Sequence, residues 1–129
     1  MAKRTAYLFI GSVDASKAVF IDNLVKNSRQ KIRVICTESI KERLQQESSK
    51  EVKWPLIQRV VEDELEQAYL KAETVILNST MGKARERKAM VKTALRYGFD
   101  EIIGMYTKSG LIQEPLEEEG FSYLQELTD

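Results

Sequence analysis

No histidine occurs among the 129 residues, and cysteine occurs once, at Cys36. The first absence removes Ser-His and Cys-His nucleophile pairs and every His-ligated metal site. The second removes an internal disulfide, because one thiol has no partner within the chain, and suits a cytoplasmic protein. An excess of charge is also missing. Twenty Lys and Arg balance twenty Asp and Glu, so no global field draws the protein to nucleic acid or to an anionic membrane. No apolar run approaches the length of a membrane span, and no cleavable signal pattern opens the chain. Internal repeats, low-complexity tracts and domain linkers are absent as well, so residues 1–129 read as one domain, long enough to bury a core. What remains is the composition of a soluble globular protein, 43% hydrophobic and 31% charged.

Short apolar runs alternate with helical periodicity along the chain. TAYLFI (5–10), IRVIC (32–36), ETVILN (73–78) and EIIGMY (101–106) read as strands, and FSYLQEL (121–127) reads as a fifth. Between them, Val19, Phe20, Ile21 and Leu24 recur at helical spacing, and TESIKERL reads as a short polar helix capped by Thr37. QQESSKEVKWP (45–55) is polar and breaks at Pro55, so it is expected to be a loop. Ile57, Val61, Leu65, Ala68 and Tyr69 form one stripe on the next helix. Val91, Ala94 and Leu95 share a face of residues 83–97, which Gly98 closes. Continuous apolar strands separated by amphipathic helices predict an α/β fold: a five-stranded, mostly parallel sheet with helices on both faces. Ligands of such sheets bind beyond the carboxyl ends of the strands, where Gly11, Thr37, Asn78 and Thr107 should gather.

One stretch at that edge carries chemistry. GSVDASKA (11–18) follows the first strand and opens the first helix, the setting of the phosphate loop G-x-x-x-x-G-K-[ST]. Gly11 and Lys17 stand at the required spacing. Ser16 replaces the second glycine and adds a Cβ where a left-handed residue costs roughly 1–2 kcal/mol. Ala18 offers no oxygen to magnesium, and Asp14 sets a negative charge within the loop. The competing reading is a plain strand-to-helix turn with a solvated lysine.

With the loop, TESIKERL, VILNSTMGKARERKAMVKTALRYGF and EPLEEEGFSYLQEL follow one another in a particular order. In that order the sequence resembles the polynucleotide-kinase-like P-loop kinases, a small branch of the P-loop NTPases, over about residues 5–127. The resemblance implies a kinase-type three-layer sandwich and a nucleotide site at Gly11, Ser12, Ser16, Lys17, Ala18 and Arg87. It also implies losses. Glu38 stands at the family's catalytic aspartate, as a candidate general base, and Lys41 stands at its arginine. Asn78 replaces the magnesium-linked aspartate, leaving no metal ligand there. Only TKSGLIQ separates Tyr106 from Glu114, so the lid is truncated and without arginine. Phosphoryl transfer rests on positioning and charge stabilisation, and these losses together remove most of both.

The expected function is therefore a catalytically defective kinase-like protein that acts by binding, with at most weak affinity for nucleotide or phosphate. In this reading no cofactor is required; ATP and magnesium belong to it only if the loop works. One alternative is an active ATP-dependent kinase of a polynucleotide 5′-hydroxyl or a small hydroxyl substrate. The other is a pure protein-interaction module. A partner surface, self-association included, is expected at Lys17, Lys83 and Arg87 beside Tyr106 and Lys108. Arg85, Lys88, Lys92 and Arg96 form a basic stripe, read as a solvated face or as a contact for nucleic acid or an acidic partner. Glu114, Glu117, Glu118 and Glu119 are expected to be solvated, and Arg87 is read either as a phosphate ligand or as an arginine with its tip in water.

Overall fold

Successive residues of a strand point to opposite faces, and the strands of this chain are apolar on both. A sheet built from them must be covered twice. The computed structural model describes residues 3–11, 15–48, 51–107, 115 and 117–127. In chain order they form β1 (Thr5–Ile10), α1 (Ala15–Asn27), β2 (Ile32–Cys36), α2 (Thr37–Glu47), α3 (Trp54–Leu70) and β3 (Thr74–Ser79). α4 (Ala84–Arg96), β4 (Glu101–Tyr106), a 3-10 turn at Glu117–Glu119 and β5 (Tyr123–Glu126) complete them. The five strands make one sheet in the order β2-β3-β1-β4-β5, and every pairing is parallel, the fifth strand included.

This order decides where the helices lie. The chain leaves β1 towards β2 and leaves β3 towards β4, in opposite directions across the sheet. Parallel crossovers are right-handed, so the two connections run over opposite faces. On one face Phe9 and Ile76 pack with Ile21 of α1 and with Leu127. On the other, Leu8, Ile10, Val75 and Leu77 pack with Ile40, Val61, Leu65 and Met90 of α2, α3 and α4. The second face holds most of the core. In α3, Ile57, Val61, Leu65 and Ala68 are all buried, each large side chain contributing about 1.5–3 kcal/mol of burial.

Several local expectations are corrected. Thr37 is not a cap: it lies inside α2, and its hydroxyl donates to Ser79 Oγ at 2.9 Å instead. Residues 45–47 extend α2, while Pro55 sits in the first turn of α3, where its missing N–H costs nothing. In α1 the core residue is Ile21; Val19 points outward and is 56% exposed. Leu95 and Tyr69 also face solvent in part, and the buried face of α4 runs through Arg87, Met90, Val91 and Ala94. Gly98 does close α4, at φ +101°, and a Cβ there would meet the Tyr69 ring at 2.4 Å. Arg4 stacks on that ring, 4.4 Å from its centroid, and ties the start of β1 to the end of α3.

Candidate functional site

Adjacent strands whose outgoing connections cross opposite faces leave a crevice at their carboxyl ends. Here those strands are β1 and β3, paired through Phe9 with Asn78 and Ile10 with Ser79. Gly11 follows β1 at φ +127°; its N–H donates to the Thr80 carbonyl at 3.0 Å, and an added Cβ would lie 2.7 Å from Thr107 Oγ1. The positive φ and the close approach both require glycine there. Gly11, Thr37, Asn78 and Thr107 thus lie at one sheet edge, as the strand pattern predicts.

Lys17 lies at this crevice and does not behave as a solvated lysine. It is buried, and its ammonium donates to the carbonyls of Gly11 at 3.0 Å and Ser79 at 3.2 Å, one from each side. The lysine therefore ties the ends of β1 and β3 together. Among the described residues Asn78 Oδ1 is buried with no hydrogen-bond partner; it is a neutral acceptor at the position that the resemblance links to magnesium. Ala18 is exposed, and among the described residues no cluster of three or more metal-capable side chains exists. Ser16 lies in the first turn of α1, whereas Ser12, Asp14, Lys108 and most of TKSGLIQ lie outside the described residues.

Burial corrects the reading of Arg87 as an arginine with its tip in water. It is completely buried, and its guanidinium grips Glu119 through Nε–Oε1 at 2.6 Å and Nη2–Oε2 at 2.9 Å. Nη1 donates to the Met81 carbonyl at 2.9 Å. The tip is not in water, and Glu119 is not a solvated member of an acidic cluster. Met81 carries φ +45°, a left-handed conformation that costs a non-glycine residue about 1–2 kcal/mol. Its buried side chain and the Arg87 bond hold it there. Burial withdraws Lys17 and Arg87 from the partner surface expected there; of its other described members, Lys83 is exposed and Tyr106 is partly packed against the core.

A concavity lies beside the crevice on the face that carries three helices. It is a cleft of about 660 Å³ beyond the end of β3, within the roughly 300–1,000 Å³ usual for small-molecule sites. The first two turns of all three helices line it: Thr37, Glu38 and Lys41 from α2, Trp54, Ile57 and Gln58 from α3, and Arg85, Glu86, Ala89 and Met90 from α4. Val52, Ser79, Thr80 and Met81 complete the wall. Glu38 and Lys41, singled out in sequence as base and arginine substitute, therefore do meet in one cleft. Arg85 joins them from the basic stripe. The stripe's other end is spent locally, since Arg96 pairs with Glu62 of α3 and lies 5.3 Å from the Tyr97 ring centroid. Lys88 and Lys92 remain exposed.

Sequence reasoning missed Trp54, Gln58, Met81, Met90 and Glu86 as neighbours of Glu38. Most of them lie in the first two turns of α3 or α4, a signal that becomes visible only once the helices are known to begin at one end of β3. No protein-family model matches the chain, and no curated protein matches it.

Proposed function

We propose that this chain is a degenerate P-loop-kinase-like protein that acts by binding and not by phosphoryl transfer. The parallel sheet, the strand–glycine–helix passage at Gly11 and the ordered motifs support the kinase-like origin. One observation carries the loss of catalysis: the two cations that the resemblance directs at phosphate are both engaged within the fold. The Lys17 ammonium donates to two backbone carbonyls, and the Arg87 guanidinium is occupied by Glu119 and the Met81 carbonyl. Charge stabilisation of a transferring phosphoryl group needs such cations aimed at it. To reach a phosphate, Lys17 has to leave both of its carbonyls, and Arg87 has to abandon a buried carboxylate. The binding surface that remains is the cleft lined by Glu38, Lys41, Trp54 and Arg85.

Calorimetric titration with ATP, with and without magnesium, tests this reading together with label transfer from ATP to a 5′-hydroxyl oligonucleotide. The expected result is no saturable heat at micromolar ATP and no label transfer. Turnover on the kinase scale of roughly 1–100 per second, abolished by Lys17→Ala, establishes the active-kinase alternative instead.

A further inference from the structure

We infer that the cleft holds a small zwitterion with an apolar body, of the free amino-acid or short-peptide class. This inference rests on the binding reading of the cleft and not on the kinase resemblance. The floor is apolar, with Ile57 and Met90 in it, and methionine side chains adapt to irregular apolar and aromatic shapes. Around that floor stand two carboxylates, Glu38 and Glu86, and two cations, Lys41 and Arg85. Among the described residues none of the four belongs to an ion pair. Their charges sum to zero. A simple anion would satisfy Lys41 and Arg85 and meet repulsion from the two carboxylates; a simple cation would do the reverse. A ligand that carries an ammonium and a carboxylate on one small head complements both signs at once. Its side chain then has the apolar floor beneath it and Trp54, half-exposed at 49%, as an aromatic wall.

Trp54 is the chain's one tryptophan, so its emission reports on this cleft without labelling. The protein is titrated with L-phenylalanine, L-leucine and the dipeptide Leu-Phe, and in parallel with 3-phenylpropionate, phenethylamine and adenosine. Calorimetry follows any titration in which emission stays constant. At least one zwitterion is expected to bind saturably. The analogue lacking the ammonium and the analogue lacking the carboxylate are each expected to bind roughly ten- to hundredfold more weakly, the weight of one charge-assisted hydrogen bond. Glu38→Gln and Arg85→Gln, both at exposed positions and checked for native circular dichroism, should each weaken the zwitterion by a similar factor. Equal binding of either half-charged analogue, preference for adenosine, or no saturable response to any zwitterion by emission and calorimetry overturns the inference. ATP binding that depends on Lys17 overturns the reading of the crevice and leaves this one standing, so the two failures are distinguishable.

Discussion

Arg87 and Glu119 show how much one buried pair decides. Both are withdrawn from water, yet the guanidinium finds three acceptor contacts and the carboxylate receives two donors, which is what a buried pair needs to offset its desolvation. The pair joins the first turn of α4 to the segment before β5 and, through the Met81 carbonyl, holds a strained residue in the cleft wall. Glu119→Ala leaves the Arg87 charge buried and uncompensated, so it is expected to lower unfolding free energy by about 3–5 kcal/mol. Replacing both partners together, with Arg87→Met and Glu119→Leu, should restore most of that loss, because apolar groups carry no desolvation cost. Urea denaturation of the wild type and the two variants checks this. A loss within about 0.5 kcal/mol for Glu119→Ala, the range of an ordinary surface change, would show that the pair is not buried in solution.

The helices of the crowded face are fastened to each other and to the sheet edge by polar ties around the apolar stripe. Arg33 on β2 donates to Glu64 of α3 at 2.6 Å and to Glu73 at 2.8 Å. Those hydrogen bonds, the one to Glu64 foremost, raise its pKa above the ordinary arginine value, against the opposing effect of burial. Between α3 and the end of α4, the Tyr97 hydroxyl donates to Glu62 at 2.8 Å. That bond, reinforced by partial loss of hydration and by the Glu62 charge, raises the phenol above its ordinary value of 10.0, while Arg96 opposes the shift. The unfolded chain therefore releases this proton at a lower pH than the folded one. The tie contributes fully below about pH 10 and is lost as pH rises through the higher folded value. Chemical denaturation of the wild type and Tyr97→Phe across this range should give a stability difference that holds at neutral pH and shrinks at alkaline pH. A difference constant to the alkaline limit of folding would remove the Glu62 bond from the account.

At the scale of the molecule, the strand order distributes stability unevenly. β1 and β3 each have a strand on both sides, whereas β2 and β5 are edges. β1 is buried along most of its length, while β5 has four residues, three of them exposed. Native-state hydrogen exchange should find the slowest amides in β1 and β3, opening only with global unfolding, and faster exchange in β5 through local opening. Equal protection across all five strands would contradict this gradient. The same order explains the position of the candidate site, because the oppositely directed crossovers that leave β1 and β3 open a crevice between them. Lys17 now ties that crevice, and the three helix starts beside it frame the cleft.

Much of the fold is legible in the residues taken one segment at a time. Thr5–Ile10, Ile32–Cys36 and Glu101–Tyr106 form strands at the bounds their apolar runs mark. The stripe Ile57, Val61, Leu65 and Ala68 faces the core, since strand and helix periodicities are local properties of a chain with a buried side. The glycine at position 11 and the gathering of Gly11, Asn78 and Thr107 follow from the same alternation of strands and helices. What each polar side chain does was not legible, because charge in a sequence does not say which partner lies near. Lys17 and Arg87 read as cations available to phosphate, and the fold engages both: one through carbonyls from β1 and β3, the other through a carboxylate 32 residues away. Glu38, Lys41, Trp54 and Arg85 come from three different helices, the last of them beyond β3, and only the tertiary structure brings them around one apolar floor. Periodicity is encoded between near neighbours, whereas the pairing of charges is settled by packing between distant ones.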